Sequence, residues 1–204
     1  MSESRLPTKA RVVIVGGGVI GTATAYQLAK RGWNDVVLLE RNTLTSGTTW
    51  HAAGLITQAR PTHGTRAIVQ RGLGIFKSLE ADTGFATGYV ETGTLHLAMS
   101  NDRMDELKHM ELSSISSGIE VRMLNPDQTL ETHPLLNPEG IVGSLFYPRD
   151  GRGSATDTTM SLARGATQRG ATIVENVLAT GGRTANGRVM GVETTEGYIE
   201  AEYV

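Results

Sequence analysis

One stretch constrains the fold more than any other: "RVVIVGGGVIGTATAYQLAKRGWNDVVLLER", residues 11–41. Val12 to Val15 is a continuous β-branched run closed by three glycines, the pattern of a strand covered on both faces. Val19 to Arg31 carries helical spacing, with Ile20, Ala23 and Leu28 assigned to its inner side, and Gly32 ends it. Val36 to Leu39 is a second buried strand. Strand, helix and strand in this order predict a βαβ unit within an α/β fold of the Rossmann type.

The turn inside that unit reads G-x-G-x-x-G at Gly16, Gly18 and Gly21, and Glu40 ends the second strand 19 residues beyond Gly21. Gly16 permits a tight turn, Gly18 lets backbone approach a pyrophosphate, and Gly21 lets helix and strand pack closely. The helix N-terminus offers unpaired N–H groups and a partial positive charge to the anion. Glu40 is placed to accept hydrogen bonds from both ribose hydroxyls and would repel a 2′-phosphate, which argues against NADP. FAD and NAD share the ADP half that such a unit holds, so the glycines do not separate them.

The next residues do. A third strand does not follow Glu40 directly; a polar run does, "NTLTSGTTWHAAGL", residues 42–55. Ser46, Gly47, Thr48 and Thr49 are small enough to bring backbone N–H groups to the pyrophosphate and on toward a ring system. Ala52, Ala53 and Gly54 leave space against a flat surface. Trp50 reads as packing.

Beyond this, helices are predicted over 65–81, with Ile68, Ile75, Phe76 and Leu79 on one face, and over 102–112, with Met104 and Leu107 inward. Strands are predicted at 93–99, 120–124 and 141–147, and Asn125-Pro126 and His133-Pro134 bracket a short helix. A helix over 155–169, a buried strand in "ATIVENV" and short strands joined at Asn186-Gly187 complete the pattern. The predicted organisation is a discontinuous, incomplete FAD-binding domain at 1–83 and 148–204, with part of an α+β substrate domain inserted at 84–147. The strand pattern under way at Val204 is expected to continue in a longer fold, truncated here at its C-terminus.

Composition narrows the function. Lys plus Arg number 19 against 21 Asp plus Glu, so nothing basic calls for nucleic acid, and no run approaches the ~20 apolar residues of a membrane span. The opening "MSESRLPTKA" lacks the apolar core of a signal peptide, and the absence of Cys fits a reducing compartment, so a cytoplasmic protein is expected. His63, His96, His109 and His133 lack metal-ligand spacing, and no metal is expected. His96 and Arg60 are read first as ordinary strand and surface residues; their functional alternatives are facing a flavin ring and binding a substrate carboxylate. Met104, Met110 and Met160 read as core.

Taken together, "VIVGGGVIG", "VVLLER" and "SGTTWHAAGL" resemble the D-amino-acid-oxidase superfamily of flavoproteins, within it most the dimethylglycine and sarcosine dehydrogenases. "HPLLN", "YPRDG" and "SLARGATQRGATIVENV" extend the similarity to Val204. The resemblance implies FAD, joined covalently through its 8α-methyl to the residue matching the family's His, which is His51. It implies cofactor contacts at Val19, Ile20, Glu40, Arg41, Gly47, Thr48, Thr49, Trp50, His51, Ala52, Ala53, Gly54 and Leu55, and a backbone contact to adenine near Ala179. One departure is that Ser154 and Ala155 stand where the family commonly carries Asp-Pro; Ser154 or Thr156 can still cap the helix there.

The activity implied is oxidation of an N-methylated glycine, dimethylglycine or sarcosine, by hydride transfer to flavin N5. The resulting iminium is hydrolysed or captured by tetrahydrofolate, and an electron-transfer flavoprotein is a possible acceptor. The substrate residues are expected beyond Val204, so the catalytic residues are unknown. The alternatives are a noncatalytic flavin-fold regulatory subunit and a noncovalent amino-acid oxidase such as a glycine oxidase.

Overall fold

The computed structural model describes residues 6–204; the first half of the "MSESRLPTKA" reading lies outside the described residues. The chain opens with β1 (Lys9–Val15), α1 (Val19–Lys30) and β2 (Val36–Glu40), followed by a single 3-10 turn (Thr49–His51). Next come β3 (Leu55–Ile56), α2 (His63–Thr83), β4 (Val90–Glu91), β5 (Thr94–Ala98) and α3 (Asn101–Ile115). Then follow β6 (Arg122–Leu124), α4 (Pro126–Thr132), β7 (Gly143–Tyr147) and β8 (Gly151–Arg152). The chain closes with α5 (Ala155–Thr167), β9 (Thr172–Glu175), β10 (Ala179–Ala185), β11 (Arg188–Thr194) and β12 (Gly197–Tyr203).

These elements form two compact units. The first takes in the chain up to Gly54 together with Ser78–Gly88 and Ser154–Val204. Its six-stranded sheet runs β10-β11-β12-β1-β2-β9. β12, β1, β2 and β9 are parallel, whereas β10, β11 and β12 form an antiparallel meander. β2 is apolar at four consecutive positions because both of its faces are covered: Val36 and Leu38 enter a cluster with Ala25, Tyr26, Leu162 and Ala166 of α1 and α5, while Val37 and Leu39 enter the opposite cluster with Val13, Val174, Val192 and Ile199. α1 and α5 approach closely because position 165 is glycine; a Cβ there would lie 2.7 Å from the Tyr26 ring. Ser154 caps α5 by accepting the Asp157 N–H at 3.1 Å, so the departure from Asp-Pro leaves the helix entry intact. Asn186 and Gly187 take φ of 52° and 73°, the paired positive values that join β10 to β11 tightly.

Several face assignments are corrected. Ile20 is 81% exposed, because Thr22, Ala25, Tyr26 and Ala29 fill the inner side of α1. Ile68 and Met160 are also exposed, so neither is core; Met104 and Met110 do pack against a core cluster.

The second unit comprises Leu55–Lys77 and Tyr89–Gly153. β5, β7 and β6 form an antiparallel sheet in that order, and β3, β8 and β4 form a second, minimal one. Ala98, Leu107, Ile119, Leu145 and Tyr147 make its core. α4 starts with a reciprocal capping box between Asn125 and Gln128, as its Asn-Pro entry suggests. The unit boundaries differ from the predicted 83/84 and 147/148. Leu55 and Ile56 pair with Arg152 and Gly151, drawing residues 55–77 into the second unit, whereas Leu79 is buried in the α1–α5 cluster and Thr83 shares a 2.8 Å hydrogen bond with Ser161 in the first. Among the described residues no helix is long and apolar enough to cross a membrane.

Asp150 is fully buried in the second unit. Its Oδ1 accepts the Gln58 backbone N–H at 2.9 Å and the Gln58 side-chain N–H at 3.1 Å, while Oδ2 has no partner. Burial pushes this carboxyl above its ordinary pKa, only partly offset by the Gln58 bonds. A raised folded-state pKa means that the stabilisation is complete below the unfolded value of about 3.9 and is lost as pH rises through the folded one. Asp150→Asn is therefore expected to gain stability relative to wild type as pH is raised from about 4 to about 7. Urea midpoints at the two pH values measure this; a difference independent of pH contradicts it.

Candidate cofactor site

The glycine-rich turn of the first unit is built by close approach. Gly16 follows β1 with φ of +113°, and its N–H donates to the Leu39 carbonyl at 2.8 Å. A Cβ on Gly21 would stand 1.9 Å from the Gly16 carbonyl oxygen, so only glycine lets α1 start there. Gly17, which the motif leaves unassigned, is equally constrained: a Cβ would meet the Leu44 and Glu40 side chains at 2.7 and 2.9 Å. Gly18 is the N-cap of α1 and brings no side chain to it; a Cβ there would stand 3.0 Å from the Thr49 hydroxyl.

Two side chains lock this turn. Glu40 accepts the Gly17 N–H at 2.7 Å through Oε2 and the Asn42 N–H at 2.9 Å through Oε1. A carboxylate offers about four lone-pair sites, so acceptor capacity remains for a ligand hydroxyl. Thr49, buried, accepts the Val19 N–H at 3.1 Å. Of the N–H groups expected to be unpaired at the helix N-terminus, that of Val19 is taken by the hydroxyl of Thr49. This bond joins the segment that carries His51 to the N-terminus of α1, and nothing in the spacing of the sequence announces it.

A groove of about 210 Å³ runs beside the turn, lined by Val15, Gly16, Leu39, Glu40, Arg41, Val177, Leu178 and Ala179. The structure therefore brings the glycine turn, the acid at the end of β2 and the start of β10 into one surface. Val15 and Ala179 also line an adjoining hollow of about 310 Å³ with Gly181, Val189 and Gly191.

Thr49, Trp50 and His51 form the 3-10 turn. Trp50 is 60% exposed, so it is not core packing; its ring lies against that of His51 with centroids 3.8 Å apart and planes tilted by 33°. His51 is exposed, as are Gly47, Thr48, Ala52 and Ala53; Gly54 takes φ of +74°. Leu55, 72% exposed, opens β3 in the second unit. The segment thus presents an aromatic pair and small residues on the surface, the composition that a flat partner requires.

The chain matches the family described as "DAO: FAD dependent oxidoreductase" over residues 11–204. The chain belongs to this family. Sarcosine dehydrogenase of Homo sapiens is 41% identical over 98% of this chain, and the mouse pyruvate dehydrogenase phosphatase regulatory subunit is 38% identical over 97% of it. The chain spans only 22% and 23% of those two mitochondrial proteins. Among solved structures, L-proline dehydrogenase from P. horikoshii superposes with a TM-score of 0.92 at 26% identity, over 98% of this chain and 53% of that one. As a DAO-family chain it carries the fold of FAD-dependent oxidoreductases, and the turn described above is compatible with an adenine dinucleotide: no side chain stands at Gly16, Gly18 or Gly21, and the groove combines the Glu40 carboxylate and Arg41 with the apolar walls of Val15, Leu39, Val177, Leu178 and Ala179.

Gly21→Ala is expected to destabilise the fold by at least about 1–3 kcal/mol, since the added methyl must displace backbone. Gly74→Ala in α2, where a Cβ meets nothing within 4 Å, is expected to stabilise by up to about 1 kcal/mol. Urea unfolding of the two variants compares them; equal effects would contradict the close-approach account.

Proposed function

We propose that the protein to which this chain belongs oxidises the C–N bond of an N-methylated glycine with FAD, and that His51 is the covalent attachment point of that cofactor. The observation that carries the reading is the exposed His51 imidazole on a turn that Thr49 ties to the N-terminus of α1. In this reading the turn from Gly16 to Gly21 holds the pyrophosphate through Gly18, Ile20 and Gly21, while Gly16 and Val19, whose N–H groups are taken by Leu39 and Thr49, shape the turn; Glu40 holds the ribose hydroxyls, Arg41 and Ala179 the adenosine end, and residues 47–55 the ring end. The sarcosine dehydrogenase likeness supports the choice of amine.

FAD, when bound, supplies a two-electron acceptor, which no side chain of this chain can. The chain's own part is to fix the dinucleotide at both ends. The α1 terminus and the Gly16–Gly21 backbone neutralise diphosphate charge. Glu40, already held by two backbone N–H groups, is preorganised to accept further hydrogen bonds without reorienting. A bond through the imidazole of His51 would prevent loss of the cofactor and would draw electron density from its ring, raising its potential. Trp50 lies against the His51 ring, its centroid 3.8 Å away. Tetrahydrofolate and an electron-transfer flavoprotein are the partners this reading names for the product carbon and the electrons.

The 38% identity to a regulatory subunit favours a second reading, in which the flavin fold serves regulation. Two measurements on the full-length protein separate them. After acid precipitation, yellow colour and an FAD-sized mass increment are expected on the peptide containing His51, both lost in His51→Ala; colour that washes away completely refutes the attachment. Sarcosine added without oxygen is expected to bleach the flavin absorbance, whereas a flavin that stays oxidised supports the regulatory reading.

A further inference from the structure

In the second unit α4 and the loop after it form a shallow groove of about 580 Å³, lined by Asp127, Leu130, Glu131, Pro134, Leu136 and Pro138. Four of those six side chains are apolar, and Leu135, between Pro134 and Leu136, is 91% exposed. The other two are carboxylates, and a third acid, Glu139, directly follows Pro138. The stretch from Met123 to Pro148 holds no lysine or arginine to offset them. Among the described residues none of these three acids forms an ion pair, whereas Glu91, Asp105, Glu106 and Glu120 of the same unit each meet a lysine or arginine.

Charge and exposure both cost the fold something here. Asp127 and Glu131 stand at i and i+4 on α4, where like charges repel, and Glu131 lies in the last turn, at the negative end of the helix dipole. Leu135 leaves nearly all of its apolar surface in water. The groove is nonetheless held in place. The reciprocal capping box of Asn125 and Gln128 starts α4, and Thr129, on the buried side of the helix, shares a 2.8 Å hydrogen bond with Ser144 of β7. A fixed apolar floor inside a rim of one charge sign has the composition of a docking surface. The sign of the rim sets the chemistry of the partner. It repels nucleic-acid phosphates and anionic lipid headgroups, and it suits lysine and arginine, whose aliphatic stems lie on apolar surface while their charged ends reach the acids.

We propose that this groove docks a cationic segment of a partner protein, an extended stretch in which lysines or arginines flank a large aliphatic side chain. The aliphatic group lies against Leu130, Leu135 and Leu136, and the cations reach Asp127, Glu131 and Glu139. No residue of the groove is among those assigned to the cofactor, so the proposal does not depend on the amine-oxidation reading.

Fluorescence anisotropy with the flavin-loaded, full-length protein tests it, using a fluorescein-labelled peptide of sequence KAKLLAKA as probe. Its counterparts are EAELLAEA, with the charge reversed, and KAKAAAKA, without the aliphatic pair. The cationic aliphatic peptide is expected to bind at one site per chain, and both counterparts at least about fivefold more weakly. Raising the salt from about 0.05 M to about 0.5 M is expected to weaken it at least about threefold, because salt screens exposed charges. Glu131→Lys and Leu135→Ala, both at exposed positions, are each expected to weaken it at least about threefold, and circular dichroism checks that both variants fold. With a photoreactive leucine analogue in the probe, the cross-link is expected on the tryptic fragment 123–149. No binding, equal binding of the charge-reversed peptide, unaltered variants or cross-links confined to other fragments would each overturn the proposal. So would a protein whose own dimers dissociate on Leu135→Ala, since a second copy would then occupy the groove. Because the readout is peptide binding, a protein that binds the peptide but leaves its flavin oxidised with sarcosine would disprove only the amine reading.

Discussion

The Gly16 carbonyl oxygen stands where a side chain at position 21 would begin. That single close approach sets the direction of α1 against β1 and β2, and it fixes the turn on which the cofactor reading depends. Glu40 and Thr49 then act on the same few residues from two sides. The carboxylate holds the Gly17 N–H and the hydroxyl holds the Val19 N–H, so β2, the turn, α1 and the 3-10 turn are tied together. An acid at the end of the second strand thus has a structural role even before any ribose is considered. His51 inherits its position from this arrangement, because Thr49 is two residues away on the same turn.

Legibility in the sequence followed how local the determining physics is. The β1–α1–β2 unit was readable because parallel strands buried on both faces must be apolar at consecutive positions, and Val36 to Leu39 are. Asn186-Gly187 was readable because two successive positive φ values demand such residues. Periodicity puts Ile20 on the inner side of its helix and Ile68 on one face with Leu79, but it does not say which neighbour covers each residue, and both are exposed. The two-residue strands β3, β4 and β8 have no local signal at all, since only their tertiary partners make them strands. They also displaced the unit boundaries, because Leu55 and Ile56 joined the second unit through β8.

The candidate site divides in the same way. Gly16, Gly18, Gly21 and Glu40 were found by spacing, because a diphosphate imposes one. Gly17 and Thr49 were not singled out for what they do, since their roles arise from contacts with residues 23 and 30 positions away. Arg66 was missed altogether. An arginine on a helix reads as a solvated residue, and only the fold reveals that it is buried against Ser117 and the Arg60 carbonyl without an acidic partner. Asp150 and His96 show the same contrast within the second unit: ordinary polar letters that burial converts into a carboxyl with raised pKa and an imidazole with a lowered one.

The most direct measurement of the central claim is a crystal structure of the full-length protein purified with its own cofactor. The account predicts a dinucleotide whose diphosphate lies on the backbone of Gly16 to Gly21, whose ribose hydroxyls reach the Glu40 carboxylate, and whose ring end meets the His51 imidazole. A cofactor bound elsewhere, or a diphosphate turned away from the start of α1, would contradict it.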